Sequence, residues 1–419
     1  MPNSLWYNPG SMRVLIFSHG CSGHHLNHAR LAIGAFRSEG HQVSLAVIPA
    51  WLNTSEYREH IGPLEGQFDP MRWDPELRAN GKADWPSVLL GISHLSRSSS
   101  VDHLYFPTLD GINAMMGLDR LRLRRAIPIE KTSEAVLLRA SRFYPAINAL
   151  KWATSRGNWW FSGVSPINSF SFMDPVVNGW INADPQRSRR WQVIADPVEA
   201  TADISKGQAR RQLGIPEDGR YIIALGYLDK RKGADLLARS FLQAKLGPKD
   251  RLALIGPQEK DLAGLIRNEC ASQINSGRII IINRFMTNEE FSWGFSAADV
   301  VAATYPRHIG SASMVIRAAA AKRPSIGSTF GWIGRTIKQF DLGWTCDATN
   351  IDATARELTN SIENAEGWSY SDRVAAYVRY NSVQNYQAGA VRFTRQHRGL
   401  PPHPDQITWN QLEAQTARG

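Results

Sequence analysis

Residues 226–233 read GYLDKRKG, so three consecutive cations, Lys230, Arg231 and Lys232, follow Gly226 and Tyr227 and run into a second glycine. Residues 308–317 read HIGSASMVIR, which sets His308, Gly310, Ser311 and Ser313 ahead of a helical pattern with Arg317 one turn inside it. Glycines that admit backbone N–H groups, a helix start with free amides, and nearby Lys or Arg are the parts of an anion site. The anion that suits them is a diphosphate, which needs both charge and close backbone approach. Helical side chains lean toward the N-terminus, so Arg317, four residues after Ser313, reaches back over the same anion. Two weaker pieces join the set. LIGPQEKD (254–261) is a tight turn whose Gly256-Pro257 suits a base or ribose, and Arg284 in IINRF adds another cation. The plain alternatives are a solvated basic turn at 230–232 and a small-residue helix with Arg317 extended to water.

Such residues converge only if the elements around them place their loops at one end of a sheet. From Gly219 onward the pattern alternates with unusual regularity. RYIIALG, RLALIG, RIIII, ADVVAAT, PSIGS and GWTC read as strands, separated by helices near 232–245, 258–270, 287–296, 311–322 and 331–340. That alternation predicts a parallel sheet covered on both faces, with ligands held beyond the carboxyl ends of its strands. The first half starts the same way. RVLIF (13–17), the loop SHGCSGHH, a helix through Leu26, Ala29, Ile33 and Phe36 to Gly40, and HQVSLAVI (41–48) form a βαβ unit. Residues 50–100 read as an irregular insertion, HLYFPTLDG (103–111) and WWFSGVS (159–165) as strands, and WQVIADPVE (191–199) as a last strand broken at Asp196-Pro197. A helix at 351–364, a long helix at 371–397 and a polar tail complete the chain.

With 419 residues the chain exceeds what one core usually supports. Three parts are expected: a Rossmann-like domain at 1–196, a second at 197–368, and a C-terminal helix and tail at 369–419 packing across them. Composition is that of a globular protein, 43% hydrophobic and 21% charged, which excludes disorder as the theme. Three scattered cysteines, Cys21, Cys270 and Cys346, lack metal or disulfide spacing and suit a reducing compartment. The N-terminal residues do not read as a signal peptide, and no apolar run is long enough to span a bilayer, so a cytoplasmic protein is expected. The net charge of +10 favours anionic partners, and no RNA- or DNA-reading signature accompanies it.

The order LGYLDKRKGADLL, RLALIG, IINRFMTNEEFSWGFSAADVVAATY, GSASMVIRAAAAKRPSIGS and GWIGRTIKQFDLGW resembles the C-terminal domain of GT-B glycosyltransferases of the family 4 type, over about 205–365. The resemblance implies two Rossmann-like domains facing across a cleft, with a C-terminal helix returning toward the first. It implies a nucleotide-sugar donor on the second domain, an acceptor on the first, no cofactor or obligatory metal, and retention of anomeric configuration. Lys232-Gly233 matches the family's diphosphate lysine. The arginine usual after the first glycine is replaced by Tyr227, with Lys230 or Arg231 available instead. The family's two glutamates, eight apart, fall at Ile309 and Arg317, so both acceptors for sugar and ribose hydroxyls are missing. Either recognition is rebuilt on His308, Ser311 and Ser313, or activity is lost.

In the first half, Gly20 and Gly23 allow backbone approach to donor phosphate or acceptor, with His24, His25 and His28 around the helix start. His24 and His28 share a helix face. A zinc site lacks a third ligand and a motif such as HExxH, leaving a general base at His24 or capping histidines as the readings. Asp110 is a second candidate base, or a helix cap. The run LDRLRLRRAIPIEK (118–131) carries Arg120, Arg122, Arg124 and Arg125, seated by Leu118, Leu121 and Ile127. It reads as a surface for anionic lipid or a lipid-diphosphate acceptor at the inner face of a membrane, or as a solvated face. Two rivals to transfer stay open: an epimerase on the same fold, and a non-catalytic partner subunit.

Overall fold

The computed structural model describes residues 11–417, apart from 22, 77–82, 98–100, 129, 200 and 202–203. The chain divides into two compact units. The first runs through Ala195 and includes Val383–Trp409; the second is Asp196–Ser382 with the segment from Asn410.

The first unit is built on strands β1 (Arg13–Ile16), β2 (Gln42–Val47), β3 (Asp69–Arg72), β4 (His103–Phe106), β5 (Thr132–Leu137), β6 (Ser169–Phe172) and β7 (Trp191–Val193). They form one parallel sheet in the order β3-β2-β1-β4-β5-β6-β7. Ile16 pairs with Leu45 on one side and Tyr105 on the other, so β1 and β4 lie at the centre. The second unit contains β8 (Arg220–Leu225), β9 (Asp250–Ile255), β10 (Ile279–Ile282), β11 (Val300–Ala303), β12 (Ser325–Ser328) and β13 (Gly343–Cys346), all parallel, in the order β10-β9-β8-β11-β12-β13. Strands covered on both faces must be apolar nearly throughout, and β8, β9 and β11 are. Ile222, Leu252, Leu254 and Ile326 are buried against Leu237, Phe241, Leu262 and Leu358 from the helices.

Three sequence expectations change. The stretch 50–100 is more ordered than its composition suggests: β3 is an edge strand, and the helices Ser55–His60 and Trp85–Ser96 are capped by Thr54 and Asp84. WWFSGVS is not a strand but the end of a helix, Ala149–Val164. Its aromatic residues favour strands in isolation, yet Trp159 enters a ring cluster, stacked at 5.6 Å on Trp191, while the adjacent Trp160 remains 60% exposed. The long helix expected at 371–397 is three, Asp372–Tyr380, Val383–Ala390 and Arg392–His397. The first break has a cause. Asn381 accepts from the backbone N–H of Asp196 on its side-chain Oδ1 (3.2 Å) and from that of Val198 on its carbonyl (2.9 Å), and Ser382 bridges to Val198. The chain thus enters the second unit and leaves it at adjacent points.

Candidate functional site

In the second sheet the strand order reverses between β8 and β11, the kind of crevice where open α/β sheets bind ligands. Gly226 closes β8, and its N–H donates to Ile255 O at 3.0 Å. Leu228 N–H donates to Pro257 O (2.8 Å) and Glu259 N–H to Leu228 O (3.0 Å), so the loops after β8 and β9 are zipped together. Gly256 makes that approach feasible: its φ is 121°, and a Cβ there would stand 2.3 Å from Gly226 O.

The three cations separate by role. Asp229 caps a single 3-10 turn, Lys230–Lys232, by accepting from Lys232 N–H at 2.8 Å, and pairs with Arg231 at 3.3 Å. Gly233 follows in the left-handed region at φ 66°, where a Cβ would meet Pro306 Cδ at 2.8 Å and Thr304 O at 3.0 Å. The helix Ala234–Gln243 therefore starts hard against the loop after β11. Lys230, Arg231 and Tyr227 stay exposed. Lys232 turns back instead: its Nζ lies 3.4 Å from where a Gly226 Cβ would be and 5.6 Å from the Tyr305 ring centre. Burial first, and then the charge of Arg231, lower its pKa to about 8 against the opposing pull of Asp229.

From Tyr305 the contacts continue around the rim. The His308 ring packs on Tyr305 at 5.5 Å, and His308 Nε2 donates to Ser311 O at 2.9 Å. Ser311 Oγ donates to Asp196 Oδ2 at 2.7 Å. Burial raises the Asp196 pKa, opposed by the Ser311 hydrogen bond and by the charge of Arg317. The Arg317 guanidinium stands 5.7 Å from the Phe291 ring centre, and that ring lies 3.8 Å from the Gly226 Cβ position. Lys232, His308, Ser311 and Arg317 thus belong to one circuit with Gly226 and Gly256 at the carboxyl ends of β8, β9 and β11. Gly310, with φ 96°, and Ser313 lead into the helix Ser313–Ala320, whose N-cap Ala312 offers no capping side chain. Arg284 stands apart. It follows the edge strand β10 and forms a bidentate pair with Glu290, at 2.6 and 2.9 Å. Tyr305 and Phe291 carry no site signal in the sequence beyond the aromatic after β11 in AATYP, and Asp196 reads there only as the strand break at Asp196-Pro197.

The first unit has a reversal between β1 and β4. Ser18 Oγ donates to Gly20 O at 2.9 Å, and the His25 ring packs 3.3 Å from where a Gly20 Cβ would be. His25 Nδ1 shares a 2.5 Å hydrogen bond with Thr108 Oγ1, and His19 meets the His25 ring edge-on at 5.0 Å. All three are buried. The backbone of Gly23 and His24 starts the helix Gly23–Ser38; their side chains lie outside the described residues. His28 packs on Tyr386 at 5.9 Å. Asp110 caps no helix; its Oδ2 accepts from Leu138 N–H at 2.6 Å, tying the loop after β4 to the end of β5, and burial raises its pKa. The seat of the arginine run also changes, because Leu118 and Leu121 are exposed, and Leu123, Ala126 and Ile127 are the residues buried.

Two doubly wound parallel units of this kind define the GT-B class of α/β proteins. Residues 205–379 match the family model described as Glycosyl transferases group 1. Its fold is similar to that of Anabaena HepE solved with UDP-glucose, at a TM-score of 0.66 and 13% identity over 93% of this chain and 100% of that one. It is also similar to sucrose-phosphate synthase from Thermosynechococcus elongatus (0.67, 15%, over 93% and 98%) and to a glycosyltransferase from Rickettsia africae (0.60, 12%, over 97% and 97%). No curated protein matches the chain in sequence. Among the described residues no helix is long and apolar enough to cross a membrane.

Proposed function

We propose that the protein is a glycosyltransferase that moves a sugar from a nucleotide-diphosphate donor to a hydroxyl of a glycan or a lipid-diphosphate-linked acceptor, in polysaccharide or glycoconjugate biosynthesis. The observation that carries this reading is the circuit from Gly226 through Lys232, Tyr305, His308 and Ser311 to Arg317, at the switch point of a sheet within the matched domain. Lys232 and the amides at the Gly310–Ser313 helix start neutralise charge growing on the leaving diphosphate, an effect strongest where water is excluded. With cations in that role, transfer needs no obligatory metal. Donor hydroxyls lack a carboxylate partner at positions 309 and 317. His308, Ser311 and Ser313, with Asp196 behind Ser311, supply the polar groups that replace it. The acceptor falls to the first unit, where His25 and Asp110 stand at the loops after β1 and β4, with His24 preceding His25 in the chain. Retention of configuration follows from the family resemblance, as does a place at the inner face of a membrane when the acceptor carries a lipid.

Arg317 favours one other reading, a non-catalytic subunit that keeps the anion site. Calorimetry with UDP, GDP and ADP, followed by a thermal-shift panel of nucleotide sugars and a product assay, separates the two. Binding with turnover in the presence of acceptor supports transfer. Binding without turnover supports the subunit, product from donor alone marks an epimerase, and no binding overturns the assignment.

A further inference from the structure

The helix Ala149–Val164 is anchored at one end and projects at the other. Trp159 is its anchor, packed on Phe143, Trp180 and Trp191 at 4.8, 4.9 and 5.6 Å. At its start, residues 145–154, PAINALKWAT, are all exposed, and seven of the ten are apolar. Ile147, Leu150 and Trp152 keep 68, 72 and 52% of their surface in solvent. Single exposed apolar residues are ordinary on a protein surface, but an unbroken projecting run is not. Trp152, Arg156 and Trp160 follow at intervals of four along one side, with the Arg156 guanidinium 4.1 Å from the Trp152 ring centre.

Charge identifies the partner. No Asp or Glu occurs between Glu134 and Asp174, while Arg139, Arg142, Lys151 and Arg156 do. Near the anchored end, Gly117 lies against the backbone of Phe161, the residue after the exposed Trp160, and the exposed Leu118 and the helix Arg120–Ala126 follow Gly117 directly along the chain. That helix leaves Leu121 and all four of its arginines exposed. Tryptophan and long aliphatic side chains settle at the depth of lipid headgroups, and clustered cations attract anionic ones. A protein partner with an apolar face would not need so many exposed arginines around it; Arg122 among them also pairs with Asp119 at 3.6 Å.

We propose that residues 145–160, with the flanking Arg120–Arg125 face, dock this protein on an anionic lipid bilayer. The inference deepens the lipid-linked branch of the transferase reading and rests on it for its purpose, but lipid binding itself requires no turnover. The test is flotation of the full chain with phosphatidylcholine vesicles, with and without phosphatidylglycerol. We expect flotation only with phosphatidylglycerol, reversed by salt. Ile147→Ser, Leu150→Ser and Trp152→Ser together lower partitioning on the order of tenfold or more; Arg120, Arg122, Arg124 and Arg125→Gln remove most of the salt-dependent part. Because these side chains are exposed, melting temperature and UDP affinity stay at wild-type values, so a failed transferase reading and a failed docking reading give different patterns. No flotation by wild type, or equal flotation by the triple variant, overturns the proposal. So does a dimer in size-exclusion chromatography that the triple variant abolishes, which assigns the face to a second copy.

Discussion

The two sheets are wound alike and each reverses beside a central strand, yet the two reversal points carry opposite chemistry. At β8 and β11 stand a partly buried lysine, an arginine, two zipped loops and a helix start without a capping side chain. At β1 and β4 the corresponding loops are filled by imidazoles and a hydroxyl, His19, His25 and Thr108, all buried, with His25 hydrogen-bonded to Thr108 and packed edge-on against His19. On the proposed reading, the same topology offers cations and free amides to an anion in one unit and buried imidazoles and a hydroxyl to an acceptor in the other. Topology decides where a ligand sits, and a handful of loop residues decides what it is.

Lys232 tests the anionic half most severely. Lys232→Ala should lower kcat/KM on the order of 10²–10³-fold, the usual effect of removing one group that stabilises a leaving charge. Lys232→Arg should restore most nucleotide affinity because it keeps the cation. The pH dependence sharpens the point. With its pKa lowered to about 8, Lys232 is charged below that value and loses its proton above it. UDP affinity measured by calorimetry should therefore hold steady near pH 7, decline as pH rises through 8, and flatten in Lys232→Arg. An affinity that ignores both substitutions would remove the lysine from the site.

Gly256→Ala comes next. Its Cβ would stand 2.3 Å from Gly226 O at φ 121°, so the loops after β8 and β9 must part or strain. A cost of about 1–3 kcal/mol is expected, read as a lower melting temperature and weaker UDP binding together. Thr108→Val is the counterpart in the first unit. It deletes the hydrogen bond to His25 Nδ1 and should raise the KM for acceptor while leaving UDP affinity unchanged. A change in UDP affinity alone would erase the proposed division between the two reversal points.

Legibility in the sequence followed the same division. The second unit was readable because parallel strands buried on both faces announce themselves as apolar runs, and its helices are strongly one-sided. KRKG and GSAS were readable as an anion site because charge and glycine are local signals. What the sequence hid was side-chain direction. Lys230, Arg231 and Lys232 look equivalent as letters, yet only Lys232 turns inward, because Asp229 caps the turn and Gly233 takes a left-handed φ. Asp196 joins Ser311 across more than a hundred residues, which no local pattern reveals. In the first unit His24 and His28 drew attention through their spacing, but His25 is the one tied to Thr108, a partner that only the adjacency of β1 and β4 supplies. The Trp-rich run at 159–165 misled for a related reason: strand propensity cannot tell a ring buried in a core from one left on a surface.

The smallest expected effect on ligand binding belongs to a buried carboxyl outside either loop cluster. Glu134 on β5 accepts from Ser171 Oγ at 2.7 Å through Oε1, while Oε2 has no hydrogen-bond partner. Burial raises its pKa to about 8, against the lowering influence of Ser171, Arg392 and Gln192. The folded chain therefore holds a proton that the unfolded chain, with an ordinary value of 4.5, releases over the same range. The stability this proton contributes is complete below pH 4.5 and is lost progressively as pH rises through 8. Glu134→Gln cannot ionise and keeps the neutral form throughout. Its melting temperature should equal wild type near pH 4.5 and exceed it at pH 8.5. Because β5 adjoins β4, the same variant checks the first unit's reversal point: acceptor KM should not move while stability does. A shift in both would mean that the framework beneath His25 and Thr108 is coupled to this proton.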